Sequence, residues 1–323
     1  MIVSCIIIRG ITLDFRTLQY FRVVARELNF TRAAEKLNMS QPPLSSQIKS
    51  LENDLGVQLF IRGKRRMQLT EAGHLLLRRA DQILDLAEKT RDDLRSLDRE
   101  LSGTICIGMV EGMAPYLASR WIASFREEYP HVSFRLWNGG GDDVVSRLIR
   151  GLSDIAVVAR PYDTEAIDGI PVGREPWCAF MSPDHPLAKT DDAALPLSAL
   201  KGVPLVVPNR RSRIEAIRRW FEGIGAEPEI IAETANYIDA VTMAEQKVGV
   251  SIYPMTKSDP GPNVVRKLIT GPARTAEYDL VWSRSGRPTI LVNEFINFVS
   301  DCLEQDPDEG FNKGIIPADA EIL

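Results

Sequence analysis

The chain has 323 residues, 44% hydrophobic and 26% charged, which is the balance of an ordinary globular protein with room for two or more domains. Its formal net charge of −5 argues against a protein that coats nucleic acid over its whole surface. The charge is uneven, because residues 1–70 hold 11 Lys and Arg against 5 Asp and Glu, whereas residues 102–323 hold 22 against 31. A basic head on an acidic body is expected when only the head contacts a polyanion.

The cysteines and the N-terminal segment exclude several classes of protein. Four scattered cysteines without a CxxC motif disfavour a zinc site and a disulfide framework, and no motif predicts a cofactor. The apolar run Ile6–Ile8 is too short for a signal-peptide core or a membrane span. We therefore expect a cytoplasmic protein without a membrane partner, and residues 1–12 are either a disordered arm or an over-extended start.

Three helices are predicted after this segment. The first begins at the N-cap Asp14, and its apolar face recurs at helical spacing through Leu18, Phe21, Val24 and Leu28. The second begins near Thr31, and the third follows Ser40, which can serve as its cap.

The third helix has two contrasting faces. One is a continuous apolar stripe, and the other is small, polar and weakly basic. The stripe consists of Leu44, Ile48, Leu51 and Leu55, and the opposite face carries Pro42, Ser45, Ser46, Lys49 and Asn53. Such a face can approach base edges closely, although a solvated amphipathic helix fits the same pattern.

A basic hairpin is predicted after the third helix. Gly56 suits a helix C-cap, and a strand over Val57–Phe60 and a second over Met67–Leu69 flank a turn rich in arginine and lysine. Phosphate contact would give these clustered cations a role, whereas an incidental exposed basic turn is the alternative. The two strands and their turn are called the wing below.

The segment from Phe15 to about Gly73 contains AAEKL, SQPPLSSQIKSLE, LGVQLF and LTEAG in that order. It resembles the winged helix-turn-helix of LysR-type transcriptional regulators. The resemblance implies that the third helix lies in the major groove of double-stranded DNA while the wing holds the backbone. By position it assigns DNA contact to Thr31, Arg32, Gln41, Pro42, Pro43, Ser45, Ser46 and Lys49, and to Arg62, Arg65 and Arg66 of the wing. Many members carry arginine where this chain has Ser46, so the resemblance implies that a guanine contact made by that arginine is absent in this chain.

A long charged helix is predicted from about Glu71 to Leu101. Its apolar residues fit alternating three- and four-residue steps through Leu76, Ala80, Ile83, Ala87, Leu94, Leu97 and Leu101. This seam is typical of a two-stranded coiled coil, although one amphipathic helix packed on its own domain is the alternative. The resemblance implies a dimerising linker helix, and a homodimer, or a homotetramer built as a dimer of dimers, would bind a promoter pseudo-palindrome.

Strands alternate with helices beyond residue 102, which predicts a mostly parallel sheet flanked by helices. The expected strands are Thr104–Gly108, Val132–Trp137, Asp154–Val158, Trp177–Met181, Leu205–Val207, Glu229–Ala232 and Tyr278–Ser283. The expected helices are Pro115–Glu128, Asp142–Arg150, Ser212–Glu222, Tyr237–Lys247 and Asn293–Leu303. The fragments GLSDIAVV, HPLA and VGVSIYP resemble the effector-binding domain of the same family, which has the two-lobed fold of periplasmic binding proteins.

The predicted fold class is therefore α/β, with four segments. A winged helix-turn-helix occupies residues 13–72, the dimerising linker helix 73–101, the two-lobed effector-binding domain 102–304 and a loose tail 305–323. Lobe I is expected at about 103–176 plus 280–304, and lobe II at about 177–279.

The resemblance implies that a small-molecule effector binds between the lobes, near strand carboxyl ends and helix N-termini that favour anions. It maps the effector site to Glu111, Gly112, Met113, Arg160, Pro161, Asn209, Arg210, Arg211, Ser212, Arg213 and Tyr253, the last on a crossover strand. The arginines suit an anionic effector, although a solvated basic turn explains them equally well. Many relatives present Ser or Thr on the first loop, whereas Glu111 suits an amine or a hydroxyl.

No catalytic motif emerges from the sequence. The three histidines are isolated, and Gly139–Gly141 forms neither GxGxxG nor a P-loop and is interpreted as a turn. We expect a ligand-responsive regulator, not an enzyme, with RNA polymerase as a further candidate partner. The alternatives are a constitutive DNA-binding regulator without an effector, a solute-binding protein, and an enzyme with a vestigial helix-turn-helix.

Overall fold

The structure is a computed structural model that describes residues 6–8, 11–62, 67–95, 101–163, 165–256, 259–271, 274–285, 288–305 and 321–322. The chain forms two compact units, 1–94 and 95–323. Over the described ranges no helix is long and apolar enough to cross a membrane. In the same ranges no group of three His, Cys, Asp or Glu side chains could hold a metal ion.

The described part of the N-terminal unit begins with an antiparallel pair of strands, β1 (Ile6–Ile8) and β2 (Ile11–Leu13), whereas residues 1–5, 9 and 10 of the expected arm lie outside the described residues. Three helices follow, α1 (Phe15–Glu27), α2 (Phe30–Lys36) and α3 (Gln41–Leu55). The Asp14 carboxylate caps α1 by accepting a hydrogen bond from the Thr17 backbone N–H at 2.7 Å, which confirms the predicted start. Asn29 caps α2, which therefore begins one residue earlier than expected.

Helix α3 buries Leu44, Ile48 and Leu51, three members of the predicted apolar stripe. It ends at Gly56, whose φ of +67° is the left-handed conformation that favours glycine, and this confirms the predicted C-cap. Ser40 occupies the N-cap position but its side chain makes no capping hydrogen bond. The prediction of a serine cap was wrong because prolines 42 and 43 fill the positions whose N–H groups such a cap would bind.

The wing consists of β3 (Phe60–Arg62) and β4 (Met67–Leu69), paired antiparallel. Its first strand begins at Phe60 and not at Val57, which corrects the sequence prediction. The reason is that the Glu52 carboxylate accepts hydrogen bonds from the backbone N–H groups of Leu59 and Phe60 at 2.8 and 3.2 Å. The approach to the wing is thereby bonded to the end of α3.

Helix α4 (Glu71–Arg95) packs its first half on α1 of the same unit. Ala80 and Leu84 are buried there, and Arg26 on α1 contacts Asp81 on α4 at 2.8 Å. Part of the predicted coiled-coil seam is therefore used inside the unit, as the alternative interpretation required. Leu75 and Leu86 stay 48% and 44% exposed, and the seam residues Leu94 and Leu97 lie outside the side chains that the structure describes.

The C-terminal unit contains β5 (Gly103–Met109), α5 (Ala114–Glu128), β6 (Val132–Asn138), α6 (Gly141–Ile149), β7 (Ile155–Ala159), β8 (Ile167–Met181), β9 (Ala194–Pro196), β10 (Pro204–Pro208), α7 (Arg211–Glu222), β11 (Glu229–Thr234), α8 (Tyr237–Glu245), β12 (Val250–Pro254), β13 (Val265–Thr270), β14 (Arg274–Ser283), α9 (Ile290–Gln305) and β15 (Glu321–Ile322). Two short 3-10 helices, Pro186–Lys189 and Leu197–Leu200, flank β9. Strand β15 pairs with the start of β14, whereas residues 306–320 of the predicted loose tail lie outside the described ranges.

Two lobes share one continuous sheet, with strand order β11-β10-β12-β8-β14-β7-β5-β6. Strands β5, β6 and β7 are parallel in lobe I, and β10, β11 and β12 are parallel in lobe II, as the alternation predicted. The first ten residues of β8 pair with β14, and the section from Trp177 onwards pairs with β12 and β13, so the chain changes lobe at Trp177.

Two sequence expectations for this sheet need correction. Strand β14 pairs with β8 from Thr275 onwards, so the return to lobe I precedes residue 280, the expected position. Tyr253 lies on β12 inside the lobe II sheet and not on a crossover strand. Each lobe also has its own core, around Trp121, Phe125 and Phe295 in lobe I and around Trp220 and Phe221 in lobe II.

Candidate functional site

The exposed face of α3 carries most of the residues predicted to contact DNA. Gln41, Pro42, Pro43, Ser46 and Lys49 are exposed, whereas Ser45 is half-buried. Successive residues of a helix lie about 100° apart around its axis, so the residues opposite the buried stripe face solvent. Short side chains near the start of α3 leave its first turns accessible to a neighbouring surface.

Thr31 and Arg32 lie at the start of α2, and both are exposed. The Asn29 side-chain oxygen accepts hydrogen bonds from both of their backbone N–H groups, at 2.9 and 3.1 Å. The Arg32 guanidinium donates to the backbone carbonyl of Glu27 at 2.8 Å, which tethers it to the end of α1. A hydrogen bond from Lys36 holds the pKa of the Glu27 carboxyl below its usual value. The Glu27 carboxylate also lies 3.8 Å from the Arg32 guanidinium, so it contacts both cations at this corner.

The wing residues predicted to contact DNA are only partly described. The backbone of Arg62 pairs with Met67 in the hairpin, but the Arg62 side chain and the whole of Arg65 and Arg66 lie outside the described residues. Ile61 beside them is 54% exposed.

A cavity of about 270 Å³ lies between the two lobes of the C-terminal unit. Its wall is formed where β5, β6, β7, β10, β11 and β12 end, which is the position where open α/β sheets bind ligands. Lobe I contributes Val110, Glu111, Gly112, residues 139–143, Ala159 and Tyr278, and lobe II contributes Trp177, Pro208, Asn209, Arg210, Arg213, Ala235, Tyr237, Tyr253 and Pro254.

Two side chains cross from one lobe to the other at this cavity. The Arg210 guanidinium of lobe II donates to the Asp142 carboxylate at 2.8 Å and to the backbone carbonyl of Pro161 at 3.0 Å. In the opposite direction, the Glu111 carboxylate accepts a hydrogen bond from the Tyr237 backbone N–H at the start of α8, at 2.6 Å. Partial burial raises the pKa of the Glu111 carboxyl. These two contacts hold the lobes together on either side of the cavity.

Buried hydrogen bonds fix the floor of the cavity. The Tyr278 hydroxyl donates to the Glu175 carboxylate, and both residues are fully buried. Gly112 lies against this pair with a φ of +95°, and a Cβ added there would collide with the Tyr278 hydroxyl. Burial raises the pKa of Tyr278 well above its usual value, so this hydroxyl stays protonated. The floor is a rigid polar platform that side chains larger than glycine would disturb.

Among the residues predicted for the effector site, the wall includes Glu111, Gly112, Asn209, Arg210, Arg213 and Tyr253. Arg211 is 93% exposed and donates to Glu215 on the same helix at 2.8 Å. Contrary to the prediction, Arg211 does not line the cavity, because residues 211 and 213 lie about 200° apart around α7 and only one of them can face it. Ser212 does not reach the wall either.

Three further predicted residues lie beside the cavity and not in its wall. Arg160 is held by lobe I, because its guanidinium donates to Asp279 at 2.6 and 2.9 Å and to Glu277 at 2.9 Å. Pro161 contributes only the carbonyl that binds Arg210. Met113 is fully buried behind the first loop.

The wall also contains residues that the sequence did not reveal, chiefly Trp177, Tyr237 and Tyr278, with the glycines 139–141. The glycines follow the end of β6, so the rule that loops after parallel strands line the site could have found them. Gly141 permits close approach, because a Cβ there would lie 2.7 Å from the Arg210 guanidinium. Trp177 and Tyr278 lie inside strands, and only the pairing of β8 with its neighbours brings them to the cavity.

Family models match both units of the chain. The model described as "Bacterial regulatory helix-turn-helix protein, lysR family" matches residues 15–74, and the one described as "LysR substrate binding domain" matches residues 98–303. A similar protein is the Hca operon transcriptional activator HcaR of Escherichia coli K12, 31% identical over 90% of this chain and 98% of the relative.

Solved structures share the fold. The crystal structure of full-length CbnR complexed with target DNA has a TM-score of 0.73 and 24% identity, over 90% of this chain and 99% of that chain. HinK of Pseudomonas aeruginosa, a LysR family regulator, has a TM-score of 0.56 and 26% identity, over 90% and 98% of the two chains.

Proposed function

The chain belongs to the LysR family of transcriptional regulators, and from this we propose that it binds promoter DNA through α3 and a small-molecule effector through the cleft. The family inferred from the sequence motifs is confirmed by both family models. One observation carries the proposal: a helix with an exposed polar face and a two-lobed body with a cavity between its lobes occur in a single chain.

The proposed reading surface is the exposed face of α3 with the start of α2. Ser46 and Gln41 can donate to or accept from base edges, whereas Lys49 and Arg32 suit phosphates. The remaining candidates are Thr31, Pro42, Pro43 and Ser45, and the wing adds Arg62, Arg65 and Arg66. CbnR, which shares the fold, was solved with its target DNA, and a duplex on the same surface is the partner we propose here.

We propose a homodimer that forms through α4 and pairs again into a homotetramer. Leu75 and Leu86 are exposed apolar residues eleven positions apart, which places them on the same side of the helix. A dimer would bring two copies of α3 to the two halves of a pseudo-palindrome. Leu86→Asp adds a charge to this side of α4 and is expected to shift the sedimentation of the purified protein towards monomer.

The proposed effector is small and anionic, because the N-terminus of α7, with Arg213 in its first turn, meets the cavity wall and helix N-termini favour negative charge. An effector that binds one arrangement of the lobes better than another would shift the population of quaternary states and alter DNA bending. RNA polymerase is the downstream partner we propose, in the cytoplasm where the promoter lies.

The test combines DNA and ligand binding by the full chain. Gel shifts with the region upstream of its own gene, at increasing salt, are expected to show a preference for that region over unrelated DNA of equal length. Weak binding without preference would contradict the regulator. A thermal shift against a metabolite panel separates an effector-controlled regulator from a constitutive one, since a ligand of the native state raises the melting temperature.

A further inference from the structure

Arg213 is a nearly buried cation in the wall of the cleft. Its side chain lies in the first turn of α7, and the residue is only 6% exposed. The guanidinium carbon lies 5.5 Å from the centre of the Trp177 ring, in a cation-π position. Its Nη1 is buried without a hydrogen-bond partner among the residues that the structure describes. A buried cation with an open donor is costly unless an anion completes it.

The other arginines near the cavity are already engaged. Arg210 binds Asp142 across the lobes, Arg160 binds Asp279, and Arg211 faces solvent beside Glu215. The nearby charge of Glu175 offsets part of the Arg213 charge, and burial lowers the Arg213 pKa, but a guanidinium stays protonated in proteins. Arg213 is therefore the cation with which a ligand anion in the cleft can pair.

The N-terminus of α8 is capped by side chains, whereas the N-terminus of α7 is not. At α8, the Asn236 side chain accepts from the Asp239 N–H, and Glu111 accepts from the Tyr237 N–H, so both an amide and a carboxylate are in place. At α7, the N-cap residue Arg210 makes no capping hydrogen bond with its side chain. A carboxylate beside Arg213 would meet the uncapped helix end as well as the guanidinium.

Four aromatic residues also line the cavity. Trp177, Tyr237, Tyr253 and Tyr278 line it, and the Tyr237 and Tyr253 rings lie 6.4 Å apart at 67°. The hydroxyls of Tyr253 and Tyr278 are bound to Thr234 and Glu175, respectively. The volume of about 270 Å³ falls just below the range typical of drug-sized ligands, so a single small ring suits it.

We propose that the cleft binds a small aromatic monocarboxylate, with its carboxylate at Arg213 and the N-terminus of α7 and its ring against Tyr237, the most exposed of the four aromatic side chains. This inference rests on the proposed effector cleft and specifies its ligand class. A single negative charge fits better than two, because Glu111, Asp142 and Asp143 also line the cavity and Arg210 is already paired. The ring would gain dispersion and edge-to-face contacts with the aromatic walls.

The experiment titrates the purified full-length protein with three probes and follows tryptophan fluorescence and heat. Benzoate carries both features, benzamide lacks the charge, and cyclohexanecarboxylate lacks the aromatic ring. Benzoate is expected to bind at least about tenfold more tightly than either analogue, since an unmatched buried charge or a lost aromatic contact each weakens binding by about that factor. Equal affinity of benzoate and either analogue would overturn the proposal.

Matched arginine variants on α7 test whether Arg213 is the residue that binds the carboxylate. Arg213→Met keeps the length and apolar stem of the side chain and is expected to weaken benzoate binding by about tenfold or more while benzamide binding changes little. Arg211→Met, on the solvent side of the same helix, is expected to leave both affinities unchanged. Arg213→Lys, which keeps the charge but loses the planar fork, serves as the second variant if Arg213→Met does not fold, and it should also weaken benzoate. Equal benzoate affinity in the Arg213 and Arg211 variants would refute the assignment.

A cavity-blocking variant separates this inference from the proposed function. Ala235 is exposed and lines the cavity, so Ala235→Trp fills it without disturbing a core. If the three probes fail but a sugar, amino acid or dicarboxylate binds and Ala235→Trp abolishes that binding, the aromatic-acid inference falls and the effector cleft stands. If nothing in such a panel binds, both fall together, whereas the DNA-binding role is judged separately by the gel shift.

Discussion

The exposed face of α3 and the cleft between the lobes are both polar, but their polar groups are placed in opposite ways. On α3, Gln41, Ser46 and Lys49 extend into solvent. In the cleft, polar side chains bind one another, as Arg210 binds Asp142 and Tyr278 binds Glu175. The first surface is open along a helix, and the second is closed around a small volume.

This difference predicts how each region responds to change. Exposed cations that meet phosphates act through counterion release, so their contributions add and weaken as salt rises. Buried groups that share hydrogen bonds are coupled, so the loss of one partner leaves the other unsatisfied. Each substitution of a DNA-contacting cation in the head should therefore lower DNA affinity by a small, salt-dependent amount. Each substitution in the cleft floor should lower the free energy of unfolding by a larger amount that depends little on salt.

Gly112→Ala should have the largest effect, because it disturbs the cleft floor. The added methyl group meets the Tyr278 hydroxyl and the Glu175 carboxylate at a φ of +95°. We expect a loss of about 3 kcal/mol in the free energy of unfolding, from backbone strain and overpacking together. Urea unfolding followed by tryptophan fluorescence measures it in the C-terminal unit alone, since all five tryptophans, at positions 121, 137, 177, 220 and 282, lie there.

Gly202→Ala is the matched control for backbone strain. Gly202 has a φ of +67°, and a Cβ there would meet nothing within 4 Å. We expect it to lose only the cost of the left-handed conformation, about 1 kcal/mol. Equal losses in the two variants would show that the cleft floor is not tightly packed against Gly112.

Replacing Arg65 and Arg66 with alanine should have the next largest effect, on the head. Two lost phosphate contacts are expected to weaken DNA binding by about tenfold to a hundredfold for every sequence. The slope of log affinity against log salt concentration should become shallower by about two. Gel shifts or fluorescence anisotropy over a salt series measure both quantities. Arg218 and Arg219, exposed on α7, provide a double variant with the same change in net charge and no expected effect on DNA binding. A change in base preference at unchanged salt slope would contradict phosphate contact by the wing.

Local patterns predicted the head well because its signals lie close together in sequence. Asp14 marks a helix start through its side-chain cap and Gly56 marks a helix end through its left-handed backbone, and the stripe from Leu44 to Leu51 follows from helical periodicity. The serine cap failed because two adjacent prolines remove its donors, although that conflict was visible in the sequence. Whether a seam residue of α4 faces its own unit or a partner depends on tertiary packing, which periodicity does not reveal.

The cleft was only half predictable, since its wall is assembled from residues far apart in the chain. The family resemblance, mapped onto the loops that follow the predicted strands, brought Glu111 and Arg210 into the prediction. Trp177 and Tyr278 reach the cavity through the pairing of β8 and β14, which depends on register and not on local sequence. The choice between Arg211 and Arg213 depended on the rotation of α7, because a shift of one residue in the helix start turns the exposed face by about 100°.

Arg210→Ala tests the contact between the lobes and should have a moderate effect. It removes the hydrogen bonds to Asp142 and to the carbonyl of Pro161. Because Asp142 is largely exposed, we expect the unfolding free energy of the C-terminal unit to fall by only about 1 kcal/mol. Arg211→Ala, which removes a solvent-exposed pair, is expected to change it by less than about 0.5 kcal/mol in the same fluorescence assay. Equal losses would mean that the bridge across the cleft contributes nothing beyond a surface ion pair.

Glu111→Gln should have the smallest effect, and its sign depends on pH. Burial, aided by the charge of Asp239 and opposed by the hydrogen bond from Tyr237, raises the pKa of the Glu111 carboxyl in the folded protein. The folded state therefore binds this proton more tightly than the unfolded state, and the resulting stabilisation is present below the unfolded pKa and is lost as pH rises through the folded pKa. An amide side chain does not titrate but still accepts from the Tyr237 N–H. The melting temperature of the variant, relative to the parent, should thus increase between about pH 4 and about pH 7. A constant difference over that range would mean that the Glu111 carboxylate is solvated like the exposed polar groups of α3, and not partly buried in the cleft.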